Sequence, residues 1–403
     1  MNFSLFRYEL KLMIQSRKNL LFILFFLIGI SVYIFIVLEK EVKIESLDVE
    51  KTSSEVMELE SLQKARESRR HTGGGYSPWS FYSNNNHKYL LNRGILQAYE
   101  DQNFERMLYL RTYYLYSLYN NSIIEEEFFQ DSDFPWKDRA HYIDKKVREN
   151  EALLQSGIEI TYEMIEEKTA LQALKNIFLT FGPYILLFSA IYFSNDVLVR
   201  DRNQTSSVQG LPISWYQYIH TKSLVAITYT LFILIGLLIV TVIALTLSKG
   251  FGSFKMEVPI LTVHEEGNMW FTNEYSTISM LKYFAMIFSF VPVFMYIFIR
   301  LNMIISLFLR NEWIVLLVSS LLLFSERFYY ARDKQKLFNI GIENFPQTFF
   351  DFGKIITGEK NFLLYMNKLT YEKGLIMMLM TLILVEVFLF LSTKIVTKDR
   401  FFN

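Results

Sequence analysis

The stretch Ser223–Ser248, SLVAITYTLFILIGLLIVTVIALTLS, runs from Lys222 to Lys249 without a single charge. About 20 apolar residues at a rise of about 1.5 Å each suffice to cross a hydrocarbon core. This run therefore reads as a membrane span and not as a buried helix of a soluble domain. Working outward, Leu20–Leu38 (LLFILFFLIGISVYIFIVL) and Asn176–Asn195 are also free of charge. Tyr283–Ile299 is slightly short and stops at Arg300. Trp313–Ser325 is shorter still and extends through the interfacial aromatics Phe328, Tyr329 and Tyr330, with a re-entrant helix as its rival reading. Gly374–Thr393 is interrupted only by Glu386. The expectation is an all-α polytopic membrane protein with six transmembrane helices at 20–38, 176–195, 223–248, 283–299, 313–330 and 374–393.

Lys and Arg near the spans set the orientation. Arg7, Lys11, Arg17 and Lys18 precede the first span, and Arg200, Arg202 and Lys222 follow the second. Arg300 and Arg310 follow the fourth, and Lys394, Lys398 and Arg400 follow the sixth. Glu257, Glu265, Glu266 and Glu274 lie in the segment from Lys249 to Lys282 on the other side. All the short basic segments share one face, so the N and C termini are expected in the cytoplasm of a multi-pass cell-membrane protein. The first span reads as a retained helix: its apolar run is too long for a signal peptide and no small-residue cleavage site follows it.

The 403 residues carry 41 basic and 41 acidic side chains and no cysteine. Zero net charge argues against a nucleic-acid partner, and the missing thiols exclude disulfides and thiolate chemistry. The charge is unevenly spread. Residues 39–175 hold 25 acidic and 18 basic groups, a net of −7, leaving 16 acidic and 23 basic elsewhere. An acidic extracellular domain thus interrupts a basic membrane body, either to attract a cationic ligand or simply as a solvated surface. It reads as helical. Glu39–Arg70 looks like a helix continuing out of the first span, and His71–His87 is a breaker region with Gly73, Gly74, Gly75 and Pro78. Tyr89–Tyr119 resumes helical spacing, with Leu108, Tyr109, Leu115, Tyr116 and Tyr119 on one stripe. That stripe is either a small core or a ligand groove. Trp136–Leu154 and Thr161–Leu174 complete the set.

No Gly-x-x-x-x-Gly-Lys-Ser/Thr loop occurs, so ATP is not bound here in the P-loop manner. There is no His-Glu-x-x-His and no Gly-x-Ser-x-Gly. His264-Glu265-Glu266 falls far short of a metal site, and His71, His87, His141 and His220 are scattered. The chain is expected to have no catalytic residues, metal or cofactor of its own.

The loop 196–222 carries the most information. Asp196, Arg200, Asp201 and Arg202 lead to Gln209, Gly210, Leu211, Pro212 and Ser214, with Lys222 opening the third span. Gly210 and Pro212 end a short polar helix, and Ser214 with Gln217 makes a capping box for the next. This pattern resembles the cytoplasmic loop of exporter-type ABC transporter permeases, the type-two exporter family with six spans per subunit. In that family a polar segment, a Leu-Pro-x-Ser corner and a Lys at the next span form the coupling helix that seats on the ATPase. Leu5–Lys18, within the N-terminal segment 1–19, is similar to the family's amphipathic interface helix. Phe345 to Gly358, within 340–372, is similar to its outer re-entrant helices. The likeness covers Leu5–Leu38 and Asn176–Thr393; the large domain at 39–175 departs from it.

The resemblance implies a permease that pairs with a second permease, identical or paralogous, and with cytoplasmic ABC ATPase subunits that bind ATP-Mg. Arg200, Asp201, Arg202, Gln209, Leu211, Pro212, Lys222, Arg7 and Lys11 would couple it to the ATPase. Export is favoured over import, again by resemblance. Glu386 and Arg300 are candidates for the pathway, because a lone mid-membrane carboxylate costs on the order of 3 kcal/mol and needs a partner or a purpose; the alternative is a Glu386 near the inner interface that simply pairs with Lys394 or an arginine such as Arg300. The main rival is a membrane-anchored peptide sensor or immunity protein whose outer domain binds without transport. A secondary transporter would show several intramembrane charges and internal repeats, and an intramembrane enzyme would show catalytic groupings.

Overall fold

A computed structural model describes residues 3–68, 81–119, 129, 132–202, 212–264, 272–332 and 334–402. The chain is mostly helical, and five helices are long and apolar enough to cross a membrane: Arg17–Lys40, Gly182–Arg202, Trp215–Lys249, Met280–Phe308 and Tyr371–Ile395. This is the pattern of a membrane protein. Helix α1 (Phe3–Gln15) comes first and turns at Ser16 into α2 (Arg17–Lys40), which carries a π-helical stretch at Tyr33–Val37. Leu5, Glu9 and Met13 form the buried face of α1, at the four-residue spacing of one helical stripe.

The polar domain is a stack of antiparallel helices: α3 (Val49–Ser68), α4 (Phe81–Glu100), α5 (Phe104–Tyr119) and α6 (Pro135–Gln155), each packing on the next in sequence. The expected continuation of the first span stops at Lys40, and eight irregular residues separate it from α3. The expected single helix 89–119 is divided at Asp101–Asn103, where Gln102 adopts φ of 53°. The stripe on α5 splits by chemistry: Leu108 and Leu115 are buried, whereas Tyr109 and Tyr116 face outward. The side chain of Tyr119, and Gly73, Gly74, Gly75 and Pro78, lie outside the described residues.

The second span is not the continuous run read from the sequence. Helix α7 (Ala170–Leu179) ends at Thr180, α8 (Gly182–Ser194) begins at once, and α9 (Val199–Arg202) follows a turn. Pro183 lacks an N–H and fits only a helix's first turn, so a new helix starts there. Gly182 allows the break to close, since a Cβ there would lie 2.7 Å from the Ile177 carbonyl oxygen.

Helix α10 (Trp215–Lys249) contains the third span. A β-hairpin follows that the sequence reading missed: β1 (Glu257–His264) pairs antiparallel with β2 (Thr272–Ser279), from Glu257 opposite Ser279 to His264 opposite Thr272. It packs on α6, with Val258 and Leu261 buried. Helix α11 (Met280–Phe308) is longer than the span 283–299 and continues straight through Arg300. Helix α12 (Glu312–Leu323) has 12 residues, short of a full crossing. The segment 340–372 folds back as short turns, including α13 (Phe352–Ile356) and α14 (Glu359–Leu364). Gly353 of α13 sits against α7 so closely that a Cβ would lie 2.0 Å from the Phe178 carbonyl oxygen. Helix α15 (Tyr371–Ile395) packs along α11, and α16 (Lys398–Phe402) ends the described chain. Trp215 Nε1 donates to the Val396 carbonyl and its ring meets Phe401, so both ends of the chain lie at the α1 end of the bundle.

Candidate functional site

Three elements meet at the α1 end around one lysine. Lys222, fully buried in the first turns of α10, places Nζ 3.0 Å from Glu9 Oε1 of α1 and 2.5 Å from Asp201 Oδ1 of α9. Its third proton goes to the Val197 carbonyl oxygen at 3.2 Å. Glu9 is held a second time by Arg200 Nη2 at 2.9 Å, and Asp201 accepts from Tyr218 Oη at 2.8 Å. An ammonium has three donors and no acceptor, so this geometry leaves Lys222 fully satisfied. Arg202 turns the other way: Nη2 donates to the Leu307 carbonyl at the end of α11, and the guanidinium lies 4.2 Å over the Phe401 ring. Lys18 adds an ion pair to Asp196 at 3.1 Å.

The sequence reading placed Arg200, Asp201, Arg202 and Lys222 on a surface that grips a partner. Asp201 and Lys222 are instead interior, and all four direct their charge to this chain. Glu9, which supplies the missing countercharge, was not singled out. Its mark was in the sequence: one carboxylate on the apolar stripe of an amphipathic helix. Arg7 and Lys11 are exposed on the opposite face of α1. Gln209 and Leu211 lie outside the described residues. Pro212 is described and exposed. Ser214 does occupy the N-cap of α10, but its side chain makes no capping hydrogen bond.

A second cluster lies deeper. Arg300 is fully buried and its Nε is 2.8 Å from Glu386 Oε1. Nη1 donates to Ser223 Oγ at 3.1 Å, and Nη2 lies 2.8 Å from Tyr296 Oη and 2.5 Å from His220 Nδ1. Tyr296 Oη in turn donates to Glu386 at 2.6 Å, and Tyr216 Oη does so at 3.3 Å. Glu386 is nine residues before the end of α15, about 14 Å along the helix axis. The two pathway candidates thus neutralise each other and tie α10, α11 and α15 together. His220, Tyr216 and Tyr296 complete the cluster and carried no motif to announce them.

A third cluster closes the base of the polar domain. Glu167, held at φ of 54°, contacts Lys146 and lies 2.5 Å from Lys43 and 4.0 Å from Lys175. Glu166 receives Arg111 at 2.6 Å, and Glu45 receives Tyr142 at 2.5 Å and faces Lys146 at 3.5 Å. Burial alone would raise the Glu167 carboxyl, but Lys146, Lys175 and Lys43 outweigh it and hold it well below the usual carboxylate range. Beside this, His141 of α6 stacks on Phe362 with centroids 3.9 Å apart, and its Nδ1 lies 2.5 Å from Tyr275 Oη of the hairpin. Burial, reinforced by Lys145, lowers its pKa to about 4. Glu359, 3.1 Å from Lys145, is lowered to about 2: the lysine's charge overcomes the effect of burial.

Among the described residues no group of three or more His, Asp and Glu side chains is placed to hold a metal ion. No known protein family, curated protein or solved structure matches the chain. The clusters therefore have to be read from their own chemistry: opposite charges paired between helices, which they join.

Proposed function

We propose that this chain is the membrane subunit of an ABC-type exporter, with six crossings, both termini cytoplasmic and the polar domain outside, coupling hydrolysis by separate ATPase subunits to movement of a substrate. The observation that carries the reading is the Lys222 node. It fastens α1, α9 and the start of α10 into one body on either side of residues 203–211, the segment whose sequence resembles a coupling helix. A force delivered to that segment has a stiff route into α8 and α10, because charges buried together cannot separate cheaply. Arg202 and Lys18 extend the same body to α11, α16 and α2. Arg7 and Lys11 leave a basic face free for a cytoplasmic partner. A tagged chain purified gently from its native membranes should bring down an ATP-hydrolysing subunit. Preparations with the chain intact and no associated ATPase subunit would overturn the reading.

One observation favours a second reading, a membrane-anchored sensor or immunity protein. Tyr109, Tyr113 and Tyr116 are 63%, 50% and 48% exposed along one face of α5, on a domain with a net charge of −7. Exposed tyrosines are common anchors for protein partners, and the charge suits a cationic peptide. Under this reading the isolated membranes bind such a peptide and no ATPase copurifies.

A further inference from the structure

A cavity of about 480 Å³ opens between α2, α7, α8, α10 and α11. We propose that it is a binding site for one acyl chain of a bilayer phospholipid. This inference rests on the chain being a membrane protein and not on the transporter reading.

The cavity exists because α2 is held at two points and not between them. Toward its start, Phe22 stacks on Tyr192 of α8 with ring centroids 4.1 Å apart. Toward its end, Tyr33 meets Phe181 edge-on, and Ile34 and Leu38 are buried against Ala170, Ala173 and Leu245. From Phe22 to Tyr33 the helix advances about 16 Å. Along this arch the wall is cut away on each side: Gly29 of α2 has no side chain, α7 and α8 break at Thr180–Phe181, and Pro292 interrupts α11. A Cβ placed on Gly29 would meet nothing within 4 Å.

The lining decides the occupant. It is apolar except for Tyr33 and Thr241, and Thr241 Oγ1 already donates to the Leu237 carbonyl of its own helix. Water needs two or more polar partners to stay in such a space, so the site is dry. An engineered apolar cavity of about 150 Å³ is enough to bind benzene, and this one is larger. Phe25, Phe181, Ile235 and Phe288 on its rim are exposed, which opens it sideways onto the apolar faces of α2 and α10, where the bilayer lies. A lipid tail enters from a medium as apolar as the wall, so it pays no desolvation cost, and it recovers dispersion contacts that a void forfeits. A head group or a charged ligand finds no partner here.

The test uses the full-length chain in phospholipid nanodiscs doped with a phosphatidylcholine that carries a diazirine near the middle of one acyl chain. After irradiation, labelled residues are mapped by mass spectrometry. Labelling should concentrate on Phe178, Leu234 and Leu237 inside the cavity, above the level at Ile383 and Val387 on the open face of α15. Gly29→Phe fills the site from α2 and should lower the interior labelling about tenfold, equivalent to about 1.4 kcal/mol, with α15 labelling unchanged. Gly236→Phe, on the exposed face of α10 where a Cβ also meets nothing, should change neither. Equal labelling of the interior in wild type and Gly29→Phe, or no enrichment over α15, would overturn the proposal. A parallel arm with a free diazirine fatty acid separates the sources. Interior labelling by the free acid without labelling by the phospholipid would also overturn it.

Discussion

Arg300 and Glu386 face each other across α11 and α15 with 2.8 Å between Nε and Oε1, at a depth where neither charge is tolerated alone. Glu386→Gln strands a fully buried guanidinium and should destabilise the protein by about 3 kcal/mol, the low end for a broken buried pair, because Glu386 is itself a quarter exposed. Replacing both, as Arg300→Met with Glu386→Leu, should recover most of that loss. A thermal unfolding series on the two single variants and the double variant checks this. Equal melting of Glu386→Gln and wild type would contradict the pairing.

The Lys222 node predicts an asymmetry. Glu9→Gln leaves Lys222 with Asp201 and the Val197 carbonyl. Lys222→Met leaves Glu9 and Asp201 as neighbouring carboxylates in a site closed to water. Lys222→Met should therefore release α1 far more readily than Glu9→Gln, and limited trypsin digestion at Arg7 and Lys11 reads the difference. Matching digestion rates in the two variants would count against the node as the fastening of α1.

The junction between the polar domain and the hairpin should respond to pH through His141. Its pKa of about 4 in the folded protein lies below the ordinary 6.5, so the open state binds the proton first. Docking of α6 on β2 is insensitive to this group above pH 6.5 and weakens as pH falls from 6.5 toward 4. The full shift corresponds to about 3 kcal/mol, reduced because the ring keeps some exposure. Amide exchange at β2 between pH 7.5 and 5 reports it, clear of the range between about 4.5 and 2 where Glu359 takes up its proton in the open state before the folded one. His141→Phe keeps the stack on Phe362 and should flatten the dependence. A wild-type profile as flat as the variant's would refute this.

Gly353→Ala tests the close approach of α13 to α7. The new methyl would fall 2.0 Å from the Phe178 carbonyl oxygen, and backbone on both sides cannot yield. The variant should lose more than about 2 kcal/mol, at the large end of overpacking effects, with α13 the first segment to exchange its amides. Wild-type stability would show that the two elements separate at little cost.

The apolar runs were legible because a span needs length and the absence of charge, and both can be read along the chain. The first and third spans fall inside the helices observed. The fourth was cut short at Arg300, since a gap between charges marks a helix end only when the charge is unpaired. Glu386, which pairs it, lies in another span. The second span starts later than the run Asn176–Asn195 implies, at Gly182-Pro183, where the breaker was visible but outweighed by the apolar run around it. The hairpin is hard to see in the sequence because Val258–Leu261 is a run of four apolar residues and not the alternation of a half-buried strand. The ion clusters were least visible. Glu9, Lys222 and Asp201 are single charges far apart in sequence, and only the packing of three helices gives them a common address.

The Lys43–Glu167 pair spans 124 residues of sequence, and it joins the residues just after the first span to those just before the second. At about 5 to 20 residues per second of synthesis, Lys43 waits roughly 6 to 25 s for Glu167 to emerge from the ribosome. During that interval Lys43 and Arg111 lack the carboxylates of Glu167 and Glu166 that they meet in the finished domain. These contacts can form only when Glu166, Glu167 and Lys175 arrive, with the second span behind them. The birth order of the chain thus makes the second span the step that completes the domain, and a fault in its insertion would leave the whole polar domain unsealed.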